Sequence, residues 1–308
     1  MERRPFGQTG LQTSILGFGS SPAAHLNTDA TTVTQMLNRL LDAGMNTVDT
    51  AASYPGSEKF IGEHLSHRRK DFILISKCGT KVEGVEGENW SRGLILQTVD
   101  RALRLLKTDV IDVMLLHTCD LNTLKKGEAL GALVEAREAG KIRFAGFSGD
   151  NESAAYACAH PDVAVVEMSI NIADQINLDV AIPEARKHKV GVIAKRPVAN
   201  AAWKDPALQQ GLYRGYSKPY TDRLAKMNLK PAHLGFSGPP EQSWPEIAIR
   251  FAISQPAVST AVIGTTNPAN AEANLAAINK GPLEKDVIEK LRAAFHKADP
   301  NGEWRGLT

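Results

Sequence analysis

"SRGLILQTVDRALRLLKTDVIDVMLLHTCD", residues 91–120, decides the fold. Its first half puts Ile95, Val99, Ala102, Leu103 and Leu106 on one helical face. Its second half, "VIDVMLLH" at 110–117, is a nearly unbroken apolar run of strand length, as a parallel strand covered on both faces requires. The same helix-then-strand pattern recurs in both directions. Strands are predicted at 14–19, 46–51, 71–77, 110–117, 142–148, 163–170, 190–196 and 260–265, with helical patterns between them. Several of those helices end at a glycine, Gly44, Gly140 or Gly281, which suits a left-handed C-cap.

Eight β–α units in about 250 residues predict an α/β fold, a (β/α)8 TIM barrel. The opening "RPFGQTGLQTS" reads as an N-terminal β-hairpin with its turn at "QTG", placed to close the barrel's bottom, and an extra C-terminal helix is expected. An open doubly wound sheet is the alternative. Against it, "GFGSSPAAH" after the first strand lacks the third glycine of a dinucleotide fingerprint and shows no helix start. The expected organisation is one barrel domain over 1–308, with a long loop at about 198–241, a length that usually serves function.

Composition narrows the function classes. The chain has 308 residues, is 43% hydrophobic and carries a net charge of +2, so it has no nucleic-acid footprint. No run of about 18 apolar residues predicts a membrane span, and "MERRPFGQTG" lacks a signal-peptide core. Cys78, Cys119 and Cys158 are scattered and form no CxxC, which reads as reduced thiols of a cytoplasmic protein.

In such a barrel the site lies at the C-terminal strand ends. The second strand ends at Asp49, with Tyr54 in the loop beyond; the third ends at Lys77 and the fourth at His117. Singly, each has an ordinary reading: a capping Asp, a loop Tyr, a surface Lys, a core His. Together they form a chemical set. A phenol is a poor acid or base near neutrality, and a nearby ammonium lowers its pKa. Asp49 can hold Lys77, Tyr54 can exchange a proton with a carbonyl or alcohol oxygen, and His117 can orient that oxygen. None of these groups donates hydride, so a cofactor is implied.

The ordered segments "FGQTGLQTSILGFG", "AGMNTVDTAASYPGSEKFIG", "LISKCG", "TDVIDVMLLH", "AGKIRFAGFS" and "VIGTTNPANAEANL" strongly resemble the aldo-keto reductase superfamily over nearly the whole chain. The resemblance implies a barrel that binds NADPH, with NADH possible, in extended form across the strand ends, and a catalytic tetrad of Asp49, Tyr54, Lys77 and His117. It assigns cofactor contacts to Gly19, Ser148, Glu167, Lys195, Arg196, Pro197, Val198, Gly264, Thr265, Asn270 and Asn274. Several positions depart from the family pattern, among them Ala273 where many members have Glu and Asn270 where some have Arg. Gly149 stands where Asn usually follows Ser148, Glu167 replaces a Gln, and Lys195 replaces an aromatic residue. The segment from Pro197 to Trp203 is expected near the pyrophosphate. The start of the last helix, with free N–H groups, is expected near the adenosine phosphate.

The expected activity is reversible NAD(P)H-dependent reduction of an aldehyde or ketone, with no metal. The alternative is a cofactor-binding redox sensor or regulatory subunit on the same scaffold, similar to potassium-channel β subunits. A Schiff-base aldolase using Lys77 would leave the loop after the eighth strand without a role. A metal-dependent hydrolase would need more ligands than His117 and Asp49. The expected partner is a small-molecule carbonyl or alcohol, not nucleic acid or membrane. Trp90, Trp203, Tyr213, Tyr216 and Tyr220 are the candidate pocket walls, read as loop residues.

Overall fold

The computed structural model describes residues 1–308 except 27, 210, 212 and 308. An antiparallel hairpin comes first, β1 (Arg3–Pro5) with β2 (Gln12–Ser14). Among the described residues eight parallel strands then close a barrel: β3 (Leu16–Gly19), β4 (Thr47–Asp49), β5 (Ile73–Cys78), β6 (Ile111–His117), β7 (Ile142–Ser148), β8 (Val165–Ser169), β9 (Gly191–Lys195) and β10 (Val258–Ile263). They follow in chain order round the ring, and β10 pairs with β3 to seal it. This is the expected (β/α)8 barrel. Helix Pro268–Asn279 follows β10, and helix Lys285–Ala298 is the extra C-terminal one. No helix among the described residues is long and apolar enough to cross a membrane.

Strand side chains alternate between two faces, and here the alternation builds the site. Ile73 and Ile75, Val113 and Leu115, Val165, Ile193 and Val262 pack together with Phe6 as one buried cluster, the barrel interior. Their neighbours Leu74, Met114, Leu116, Val166 and Val192 belong instead to the larger core shared with the helices. Continuing the inward set two residues further along each strand reaches Lys77, His117, Glu167 and Lys195. The polar residues therefore crown an apolar plug on the same inward face.

Phe6, fully buried, seals the opposite end. A side chain at Gly191, where β9 starts, would collide with its ring. Arg4 ties the hairpin down by donating to the carbonyls of Ile253 and Val258, both at 2.9 Å. The hairpin thus occupies the barrel bottom, as expected from "QTG".

Three expectations are corrected. The eighth strand runs over Val258–Ile263 rather than 260–265, so Gly264 and Thr265 lie in the loop beyond it. The segment after β3 does start a helix, though a short one, Ser21–His25, with Pro22 in its first turn. The region expected as a long loop at about 198–241 carries the fifteen-residue helix Tyr213–Met227. Gly215 and Pro219, both poor helix formers, disguise it in the sequence. Tyr213, Tyr216 and Tyr220 are spaced by three and four along it, so they share one helical stripe.

Candidate active site

Strand pairing brings the rim residues level. Gly19 is opposite Asp49, His117 opposite Ser148, and Ser148 opposite Glu167. The end of β4 is fixed from outside by buried hydroxyls. Ser20 N donates to the Asp49 carbonyl at 2.9 Å, and Ser57 links Thr50 and Ser20 through 2.7 Å contacts. Tyr54 is held by its backbone, which donates to Ala51 O at 3.0 Å and accepts from Ser57 N at 3.1 Å.

All four candidate tetrad residues converge. Lys77, 1% exposed, donates to Asp49 Oδ1 at 2.5 Å and to the Thr50 carbonyl at 3.1 Å. Its ammonium lies 5.4 Å from the centre of the Tyr54 ring. The His117 ring stands edge-on to Tyr54 at 5.9 Å between centroids, with Nδ1 3.2 Å from Ser53 Oγ.

Electrostatics corrects one sequence expectation. Burial pushes the Tyr54 phenol well above its ordinary value; Lys77 pulls it down, but Asp49 and Glu167 add to the rise. The ammonium alone was expected to lower it. A second carboxylate, Glu167 Oε2, stands 3.2 Å from Lys77 Nζ, a contact across the barrel that no local sequence pattern encodes. Burial also works against the Lys77 ammonium, yet Asp49 and Glu167 outweigh it and keep the lysine charged. Asp49 is itself raised by burial and by Glu167, against the pull of Lys77. Burial, with Lys77, Lys195 and Arg196, pushes the His117 imidazole down to about 3, so it is neutral at physiological pH. A neutral imidazole can both donate and accept a hydrogen bond.

The candidate cofactor residues divide into two groups. Ser148, Glu167, Lys195 and Arg196 line one arc of the rim. Lys195 Nζ is 3.2 Å from Asp150 Oδ2. Arg196 stacks its guanidinium 5.1 Å from the centre of the Tyr216 ring and donates to the Leu307 carbonyl. Pro197 and Val198 lead into Ala199, Asn200 and Ala201, whose φ angles of 45°, 52° and 54° are left-handed. Non-glycine residues held this way mark a locally strained turn.

Gly19, Gly264, Thr265, Asn270 and Asn274 form the other arc. A Cβ on Gly264 would fall 2.5 Å from the Gly19 carbonyl and 2.4 Å from Pro22, so only glycine fits there. Thr265 and Asn274 line one small cavity, and Asn270 is exposed on the helix. The start of that helix is less open than expected. Pro268 has no N–H, and Asn267 Oδ1 accepts from Ala269 N at 2.9 Å.

The candidate pocket walls also separate. Trp90 packs its ring on Gly79, two residues past Lys77. Tyr213 meets Ser21 Oγ at 3.2 Å, and Tyr216 is half exposed beside Arg196. Tyr220 is not a wall: it is buried and donates to Asp174 Oδ2 at 3.1 Å. Trp203 is half-buried and packs on the cluster that holds Tyr220.

Two features escaped the sequence reading. His25 brings a second imidazole edge-on to Tyr54, at 5.8 Å, and its Nδ1 is 2.8 Å from the Ser21 carbonyl. The segment 304–307 straps the ends of β7, β8 and β9: Gly306 N donates to Asn151 Oδ1 at 2.7 Å, Leu307 N to Asp174 Oδ2 at 2.9 Å, and Ser169 Oγ to the Leu307 carbonyl at 3.2 Å.

Comparison with known proteins agrees with this fold. The model of the aldo/keto reductase family matches residues 15–295. The chain is 26% identical over 306 residues to the uncharacterized oxidoreductase YqkF of Bacillus subtilis, covering 95% of this chain and 96% of that one. It is 26% identical over 299 residues to L-galactose dehydrogenase of Arabidopsis thaliana, covering 91% and 89%. Its fold matches the holo form of aldo-keto reductase AKR11C1 from Bacillus halodurans with a TM-score of 0.78, at 26% identity and 96% coverage of both chains. A family match over nearly the whole chain, on a barrel with this polar crown, leads to one conclusion: the protein belongs to the aldo/keto reductase family.

Proposed function

We propose that the protein is an NAD(P)H-dependent oxidoreductase that reduces an aldehyde or ketone to an alcohol, reversibly, with Tyr54 as general acid and base. One observation carries the reading: Tyr54 stands at the barrel mouth between the His117 ring and a lysine ammonium that Asp49 holds at 2.5 Å. The protonated phenol gives its proton to the carbonyl oxygen, and neutral His117 hydrogen-bonds that oxygen and orients it.

The residues present fit a nicotinamide dinucleotide. Ser148 supplies a hydroxyl, Glu167 Oε2 is a buried acceptor with no hydrogen bond from any described group, and Lys195 and Arg196 supply positive charge. Bound there, the dinucleotide supplies or accepts the hydride. Three buried thiols support a reducing, cytoplasmic setting.

The test is NADPH- and NADH-linked turnover against a panel of aldehydes, ketones, sugars and keto-steroids. Similarity to L-galactose dehydrogenase puts aldoses in that panel. Absence of turnover with every class, together with no coenzyme binding, overturns the reading.

Two further results are expected. Tyr213 and Tyr216 present one face of their helix to the short helix after β3 and to Arg196. Replacing both with Ala is expected to raise KM or speed coenzyme release several-fold while leaving the chemical step intact. Unchanged substrate ranking and unchanged transient kinetics would leave this helix a purely structural part.

Asn270, exposed on the last barrel helix, offers only a neutral amide toward a coenzyme 2′-phosphate, where Arg gives a charge-assisted fork. NADPH is therefore expected to be preferred only modestly, with NADH supporting turnover. Asn270→Arg should tighten NADPH selectively, by about ten- to a hundredfold for a hydrogen bond to a charged group worth roughly 1.5–3 kcal/mol. Equal effects on the two coenzymes would show that position 270 does not face the phosphate.

A further inference from the structure

Lys77 faces two carboxylates that reach it from different sides of the barrel, Asp49 through a hydrogen bond and Glu167 as an ion pair without one. Asp49 lies on the neighbouring strand β4, 2.5 Å away. Glu167 lies on β8, beyond β6 and β7, and approaches across the mouth to 3.2 Å. Its backbone is fixed by pairing with Ser148 and Ile193, and its carbonyl accepts from Gly149 N at 3.0 Å. A buried carboxylate needs a cation. Of the nearby ones, Lys195 is engaged by Asp150 and Arg196 by the Leu307 carbonyl, so Lys77 is the partner of Glu167.

Granted the proposed reaction, we propose that Glu167 is a positioning residue for Tyr54 that acts through Lys77. With Asp49 it forms a two-carboxylate clamp that fixes the ammonium near the phenol ring and draws part of its field away from the hydroxyl. The charged and titratable groups facing this cluster are Asp49 from β4, His117 from β6, Asp150 after β7, Lys195 and Arg196 from the end of β9, and His25 after β3. Among them, Asp49 and Glu167 both oppose ionisation of the phenol. The clamp therefore favours the protonated phenol, the form that can donate to a carbonyl. It biases the site toward reduction at neutral pH and leaves alcohol oxidation to higher pH.

Glu167→Gln tests this, because it removes the charge and keeps the volume. In the protein without coenzyme, NMR of isotope-labelled tyrosine Cζ, with Tyr54→Phe to identify the resonance, follows the phenol directly. At the alkaline end of the accessible range the Tyr54 resonance should show several-fold more phenolate in Glu167→Gln than in the wild type, as expected for loss of one nearby like charge. The pH profile of alcohol oxidation should move the same way. Glu167→Asp, which keeps the charge, should restore the wild-type titration. Asp49→Asn combined with Glu167→Gln should depart from additivity, since either carboxylate alone still holds the ammonium. A Tyr54 titration unchanged in Glu167→Gln, with only coenzyme affinity altered, overturns the proposal. Equal shifts in the Gln and Asp variants overturn it too, since they would point to packing. The NMR arm needs no turnover, so it decides the clamp even if no carbonyl substrate is found.

Discussion

Tyr54→Phe is expected to abolish carbonyl reduction while leaving coenzyme affinity nearly unchanged. The loop that carries the residue is held by backbone hydrogen bonds to Ala51 and Ser57, which the substitution does not touch. The ring that faces His117 and Lys77 is also kept. The variant therefore loses the proton and little else. A positioned general acid contributes about 100-fold or more, and the loss should fall on kcat. Retention of more than about a tenth of wild-type kcat would remove Tyr54 from the role.

The same residue sets a pH expectation. Burial and two carboxylates hold its phenol above the ordinary value, so it stays protonated across the neutral range. Reduction should be flat in pH as far as this group is concerned. Alcohol oxidation, which needs the phenolate or its equivalent, should still be rising with pH at the alkaline end of the accessible range.

Much of the rim was legible because a strand's side-chain period is two. Once the strands at 71–77 and 110–117 are recognised, Ile73, Ile75 and Lys77, and likewise Val113, Leu115 and His117, share a face, and the polar member falls last in each. What stayed hidden depends on distance across the barrel or on burial. Glu167 meets Lys77 over two intervening strands, and no local pattern encodes that contact. Read from types alone, a lysine beside a tyrosine lowers the phenol's pKa. Buried together with two carboxylates, the balance reverses. The helix Tyr213–Met227 was hidden for a different reason: Gly215 and Pro219 weaken its propensity, and packing of Tyr220 and Arg223 around Asp174 overrides them.

Lys77→Met should damage both chemistry and stability, and the second effect should depend on pH with a definite sign. In the wild type the Lys77 pKa is raised above its unfolded value. Its contribution to stability is therefore complete below the unfolded lysine pKa and is lost only as pH rises through the folded one, so the neutral protein has all of it. The variant keeps Asp49 and Glu167, each 3% exposed, but removes the cation between them. Removing one partner of a buried pair is destabilising by about 3–5 kcal/mol. Burial and mutual repulsion already raise the Asp49 carboxyl, and loss of the Lys77 pull raises it further. The folded variant then binds protons more tightly than the unfolded chain, so its stability must fall as pH rises from the carboxylate range toward neutrality. The gap between wild type and Lys77→Met in denaturant midpoint should be narrow near about pH 5 and wide near about pH 8. Adding Asp49→Asn should close part of it at the higher pH, because it removes one of the two charges left without a cation. In catalysis, the phenol loses its cationic neighbour, so the pH dependence of alcohol oxidation should move upward. A stability gap that stays constant with pH would mean that the two carboxylates do not carry the buried charge described here. An oxidation profile unchanged in shape and position would sink the coupling of Lys77 to Tyr54.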